Sequence, residues 1–165
     1  MLTTRKATVA DIPLIRDIAW KAFPLTYKDI LTPEQSDYMM EMMYSEESLH
    51  HQMEEEQQQF LLAYEAERCL GYVSVERQAP QLFHLQKIYV LPEAQGKGVG
   101  KHLFQEAIGY IRSICKGPCR MELNVNRYNR ALKFYEHMGM RRDREGDFPI
   151  GNGYFMNDYI MVMDL

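Results

Sequence analysis

Several absences narrow the reading before any motif is considered. No run of residues approaches the apolar length of a membrane span. Met1-Leu2-Thr3-Thr4-Arg5-Lys6 lacks the apolar segment of a secretory signal, so the cytoplasm is the expected compartment. Cysteine is scarce: Cys69, Cys115 and Cys119 are an odd number, which suits buried free thiols better than a disulfide framework. Cys115 and Cys119 stand too far apart for a thioredoxin-type pair and read as a helix end followed by a turn. The histidines show no metal spacing. There is no His-Glu-x-x-His, and His50 and His51 are adjacent on a polar helix, so no metal is expected. Positive charge is not in excess. A formal net charge of −4 argues against sequence-independent nucleic-acid binding and suits a cationic partner. Repeats, low-complexity tracts and linkers are also missing, which makes residues 1–165 one expected domain.

What is present is an ordinary globular balance, 46% apolar and 25% charged. A first strand is expected over 2–8. Asp11 and Pro13 then open a helix with Ile15, Ile18, Ala19, Ala22 and Phe23 on one face, which Pro24 ends or bends. Thr32, Pro33 and Gln35 read as a capping box before a second helix, and Ser45 caps a third. The polar run Glu54 to Gln59 is expected to end that helix in solvent. Phe60–Glu65 and Leu70–Arg77 read as a hairpin, and Leu82–Leu91 as the next strand. Val99, Leu103, Phe104, Ala107, Ile111 and Ile114 give an amphipathic helix. Arg120–Asn126 alternates, with Met121, Leu123 and Val125 on one side and Glu122, Asn124 and Asn126 on the other. A short helix at 129–138 and two strands, at 140–147 and 154–164, close the chain. The order predicts an α/β (α+β) fold with a central mixed, twisted sheet of about seven strands flanked by helices.

The most informative stretch lies between the strand at 82–91 and the helix after it: Gln95-Gly96-Lys97-Gly98-Val99-Gly100-Lys101. Glycines at alternate positions expose successive backbone N–H groups, and the helix start adds unpaired N–H groups and the positive end of its dipole. Such a turn is a seat for a phosphate or pyrophosphate. A Walker A loop would need Gly at Gln95 and Ser or Thr at His102. A dinucleotide fingerprint would need two residues between its last glycines, where only Val99 stands. By itself the stretch could also be a glycine-rich surface turn.

Gln95, Gly98 and Gly100 instead match Gln-x-x-Gly-x-Gly, which resembles the pyrophosphate loop of the Gcn5-related N-acetyltransferases (GNAT). Asn129-Arg130-Ala131-Leu132-Lys133-Phe134-Tyr135-Glu136-His137-Met138-Gly139-Met140 is similar to that family's Asn-x-x-Ala-x-x-Phe-Tyr-x-x-x-Gly-Phe signature, departing only at Met140. The resemblance implies the GNAT fold along the whole chain, acetyl-CoA as co-substrate, and direct acetyl transfer to an amine. It implies a pantetheine arm entering between two splayed strands and bonding the main chain of Ile88, Tyr89 and Val90, with Gly96, Lys97, Val99 and Lys101 completing the loop.

Tyr135 stands where the family places its general acid; read alone, it is a core aromatic. Asn129 matches a position that bonds the arm, and equally caps its helix. His84 and Glu122, ahead of Glu76, are the candidates for the base, with a water chain as the other option. The helices at 11–57 would build the acceptor pocket from Phe23, Tyr27 and Tyr38, with Met39 and Met42 as adaptable lining, and residues 82–140 would hold the cofactor. Phe23-x-x-Thr26-Tyr27, Leu31-Thr32-Pro33-Glu34-Gln35-x-Asp37-Tyr38-Met39 and Asp158-Tyr159-Ile160-Met161 resemble bacterial spermine/spermidine acetyltransferases of the PaiA type. The expected partner is a small-molecule amine, a polyamine first, without nucleic acid or membrane; a homodimer stays open. The alternatives are a protein or peptide N-acetyltransferase and a non-catalytic acyl-CoA sensor of the same fold.

Overall fold

The computed structural model describes residues 1–165. The elements run β1 (Leu2–Lys6), α1 (Ile12–Tyr27), α2 (Pro33–Tyr44), α3 (Glu46–Glu54), β2 (Gln59–Glu65), β3 (Arg68–Ala79), β4 (Leu82–Val90), α4 (Val99–Ile114), β5 (Arg120–Asn126), α5 (Ala131–His137), β6 (Arg141–Gly151) and β7 (Tyr154–Asp164). The sheet has seven strands in the order β1-β2-β3-β4-β5-β7-β6. Neighbours pair antiparallel except β4 and β5, which are parallel because α4 carries the chain back across the sheet between them.

That parallel pair is short. Its rungs are Leu82↔Arg120, Phe83↔Met121 and His84↔Glu122, and none follow. The reason lies one residue further along. Against β3 the register moves from Val75↔Leu85 to Ser74↔Lys87, so Gln86 is an extra residue in β4. A bulge bends its strand and increases local twist. Here it turns the rest of β4 away from β5, while β5 stays paired with β7 to its last residue, Asn126.

The two faces of the sheet are filled differently. Gly71 in β3 gives α4 its close approach, because a Cβ there would stand 3.2 Å from the Leu103 side chain and 2.5 Å from the Tyr89 carbonyl oxygen. Val99, Leu103, Phe104, Ala107 and Ile111 of α4 are buried on that side. Tyr72, the next residue, points the other way. It joins Phe23, Tyr44, Phe60 and Tyr89 in an aromatic cluster under α1 to α3, and its hydroxyl donates to that of Tyr44 at 2.6 Å.

Local details depart from the sequence expectations in three places. Thr32 accepts from the Gln35 backbone as a cap should, but the Gln35 side chain donates to the Phe155 carbonyl oxygen at 3.3 Å instead of closing a capping box. Of the two effects expected of Pro24, it does not end α1, which carries it inside and continues to Tyr27. The polar run after α3 ends that helix in solvent from Glu54 to Gln57, but then turns inward. Gln58 is 7% exposed, and the Lys87 ammonium donates to Gln58 Oε1 at 3.3 Å and to Gln52 Oε1 at 2.6 Å. A lysine in the sheet brings its charge under α3, and two amide oxygens answer it.

Burial lowers the Lys87 pKa to about 8. The folded protein then holds this proton less tightly than the unfolded chain does, so Lys87 contributes stability that grows as pH rises between the folded and unfolded values. Lys87→Met removes the titration and keeps the volume. Equilibrium urea unfolding should show wild type gaining on the variant by about 2–3 kcal/mol from about pH 8 to about pH 10. A difference that does not change with pH would show that the folded-state lysine titrates normally.

Candidate active site

The glycine stretch forms the turn into α4. Gly96 and Gly98 both have φ +81, in the left-handed region where a side chain is strained. No other part of the protein lies within 4 Å of where a Cβ would stand on either, so backbone shape is what demands glycine there. Gly98 is the N-cap of α4, and its carbonyl oxygen takes the first helical bond, from His102 N at 3.0 Å. The N–H groups of Val99, Gly100 and Lys101 precede that bond and have no helical acceptor. Gly100 packs toward Phe134 of α5, which seats the loop against the other signature segment. The Gln95 side-chain amide reaches back to the Val90 carbonyl oxygen at 3.5 Å.

Beside this turn is the gap between β4 and β5. Ile88 and Val90 pair with Val73 and Gly71 on the β3 side, and the opposite edge of β4 has no ladder partner beyond His84. Tyr135 comes to the gap from α5, buried and packed against Phe104 and Phe134. Burial, with the nearby Tyr27, pushes its pKa above the ordinary tyrosine value, so the phenol keeps its proton. Tyr27, the last residue of α1, brings its hydroxyl up to Tyr89 and to the Asn129 amide. Asn129 Oδ1 also accepts from Ala131 N at 2.9 Å, tying the entry to α5.

The remaining expected residues fall in different places. Phe23 is 0% exposed and packs behind Tyr27, with ring centroids 4.6 Å apart; it supports that residue and has no surface to offer an acceptor. Tyr38 is half-buried on α2. Its hydroxyl donates to the Ile150 carbonyl oxygen at 2.8 Å and its ring meets Tyr154, pinning α2 to the β6–β7 hairpin. Glu122 is engaged by Arg144 at 3.0 Å. Glu76 accepts from the Gln86 amide at 2.7 Å. His84 meets Asn124 Oδ1 through Nε2 at 2.9 Å, and burial lowers its pKa, which keeps it neutral.

Asn124 and Asp158, which sequence reasoning did not single out for the site, join this group: Asn124 Nδ2 donates to Asp158 Oδ2 at 3.3 Å. For Asn124 the sequence signal was the polar row Glu122, Asn124, Asn126 on a strand of the sheet interior.

A gap in a sheet, a glycine turn at its rim and a buried phenol at its base form a compact arrangement. Residues 27–153 match the family model of the acetyltransferase (GNAT) domain. The chain belongs to the GNAT acetyltransferases.

Solved structures agree on the fold. The PaiA N-acetyltransferase from Thermoplasma acidophilum, in complex with coenzyme A, superposes with a TM-score of 0.82 at 23% identity, over 100% of this chain and 99% of that one. The spermidine N-acetyltransferase SpeG from Vibrio cholerae (N152L mutant) gives 0.70 at 19%, over 99% and 93%. The ribosomal-protein-S18-alanine N-acetyltransferase from Escherichia coli gives 0.73 at 17%, over 99% and 94%. No group of three or more His, Cys, Asp or Glu side chains is placed to hold a metal ion, and no helix is long and apolar enough to cross a membrane.

As a GNAT enzyme the protein takes its acetyl group from acetyl-CoA, and its residues fit that molecule. The backbone amides at 96–101 could hold the pyrophosphate, with Lys97 and Lys101 nearby, and the open edge at Ile88, Tyr89 and Val90 could bond the amide-bearing arm. Gly98→Asp puts a side chain and a negative charge on this turn. Calorimetry should show acetyl-CoA binding weakened at least about tenfold on a folded variant. Unchanged affinity would place the pyrophosphate elsewhere.

Proposed function

We propose that this GNAT enzyme acetylates the primary amine of a small molecule, with a polyamine as the leading candidate. Residues 82–140 would serve acetyl-CoA and the helices at 11–57 the acceptor. The observation that carries the reading is the meeting of Tyr135, Tyr27, Tyr89 and Asn129 at the gap, close to the loop at 95–101.

Acetyl-CoA supplies an already activated thioester. What remains for the protein is to hold a neutral amine against it and to return a proton to the departing sulfur. Tyr135 is the proposed donor. Its burial penalises the phenolate, yet a thiolate leaving in the same dry place carries the same penalty. Passing the proton exchanges one buried anion for another, and the environment costs the step little.

The acceptor side supports a small substrate. Gln35 and Tyr38 of α2 bond Phe155 and Ile150 of the β6–β7 hairpin, bridging this side of the protein where a peptide acceptor would need an open channel. The net charge of −4 suits an ammonium-bearing molecule, whose approach should weaken with salt. The fold does not choose between classes, since a spermidine and a ribosomal-protein acetyltransferase share it equally well.

Steady-state release of free coenzyme A across a panel of polyamines, monoamines, amino acids, aminoglycosides and peptides tests the assignment. Spermidine or spermine should be acetylated most efficiently. Efficient acetylation of a peptide with inert polyamines would replace the small amine by a protein acceptor. For the donor, Tyr135→Phe keeps the packing and removes the proton. Turnover should fall by about 10²-fold with acetyl-CoA affinity unchanged. Wild-type turnover in the variant would return Tyr135 to the core.

A further inference from the structure

Asp158 is a buried carboxylate with no cation of its own. It is 5% exposed, and its Oδ1 is fully buried without a hydrogen-bond partner in the protein. Its Oδ2 has one neutral donor, the Asn124 amide, at 3.3 Å. The positive charge that acts on it is Arg127, which is already committed to Asp147 at 2.6 Å and Glu145 at 3.6 Å. Buried charges are ordinarily paired, because an uncompensated one is strongly unfavourable. Burial accordingly pushes the Asp158 pKa up.

Its position gives the unpaired oxygen a use. Asp158 stands opposite Asn126 at the end of β5, well past the last β4–β5 rung. It acts electrostatically on Tyr27, the same phenol that acts on Tyr135. A second unpartnered acceptor belongs to the same chain of bonds. With its amide nitrogen turned to Asp158, Asn124 receives the Nε2–H of His84, which fixes that tautomer and leaves the buried His84 Nδ1 as a lone pair without a donor. Two acceptor-only atoms are therefore held ready by one asparagine. The chemistry that complements them is a group rich in N–H and positively charged.

We propose that Asp158, held by Asn124, is the anchor for the acceptor's amine: the substrate docks as the ammonium at the splayed end of β4 and β5, its N–H groups donating to Asp158 Oδ1, and attacks as the neutral amine after its extra proton has left to solvent. This rests on the acetyltransferase reading and adds to it the residue that selects a cationic nitrogen. Asn124 and His84 are positioning residues in this arrangement. The unpaired state of the carboxylate is a cost carried for binding, so its removal has opposite effects on stability and on substrate affinity.

Asp158→Asn keeps an oxygen for Asn124 and deletes the charge. Thermal melting should be unchanged or raised, and acetyl-CoA affinity should stay within about twofold, while kcat/KM for spermidine and for n-propylamine falls about 30-fold or more, chiefly through KM. Asp158→Glu, which keeps the charge, should recover part of the loss. A kcat/KM within about threefold of wild type overturns the proposal, as does a loss matched by a lower melting temperature and weaker acetyl-CoA binding.

Calorimetric titration of spermidine into the coenzyme A-loaded wild type, with the Asp158 carboxyl carbon followed by NMR, decides the matter if the variant does not fold. The resonance should move on saturation; a fixed resonance or no binding overturns the proposal. Binding that depends on Asp158 without any acetylation would leave this inference standing and remove the proposed activity instead.

Discussion

Everything at the active site follows from a single extra residue in β4. Parallel strands joined by a helix normally pair along their length, and nothing in the composition of β5 forbids it. Gln86 breaks the pairing by bulging against β3, and the strands part after His84↔Glu122. The parting exposes a strand edge in the middle of the seven-stranded sheet. An exposed edge is a binding site for anything that carries its own amide groups. The sheet tolerates the gap because each strand keeps a full partner elsewhere, β4 on β3 and β5 on β7. The gap starts beyond His84 and runs toward Val90, from which the turn at Pro92–Ala94 leads to the glycines.

The two sides of the gap are chemically distinct. On the α4 side lie the turn with its left-handed glycines, the helix start, and α5 with Tyr135 against Phe104. On the α1 side lie aromatic hydroxyls and the polar row of β5. Acetyl donor and amine can thus arrive from opposite directions and meet at the gap, and Tyr27 sits between them. The division also explains an odd feature of the core. Tyr27, Tyr44, Tyr72, Tyr89 and Tyr135 are buried or nearly so, each with its pKa raised by burial, where phenylalanine would pack as well. Hydroxyls that pair with one another, as Tyr72 does with Tyr44, carry polarity into the interior without charge.

The strands, the helices and the glycine turn were legible because they are written locally. Period-2 alternation marked β5, an apolar stripe marked α4, and glycines at alternate positions marked the turn. The α2 cap at Thr32 and the α3 cap at Ser45 appear where short-range chemistry put them. What was not legible depends on register. Nothing at Gln86 announces a bulge, since a glutamine suits a regular strand equally well. Lys87 and Gln58 look like solvent-facing residues, and only the packing of α3 over β4 brings them together in the interior. Asp158 was visible only as one letter of a resemblance; its pairing with Asn124 needs the β5–β7 alignment to be known. Phe23 and Tyr38 were correctly read as aromatic residues of the first helices, yet one is core and the other ties down a hairpin, because side-chain direction on a helix is set by what the helix packs against.

The central claim is that the parted edge of β4 and the turn after it together form the seat of acetyl-CoA. Amide hydrogen exchange with and without acetyl-CoA tests it directly. The account predicts slowed exchange at residues 86–90 and 96–101, with the paired β1–β2 and β6–β7 ladders unchanged. Protection centred elsewhere, with 86–90 unaffected by saturating acetyl-CoA, would contradict it.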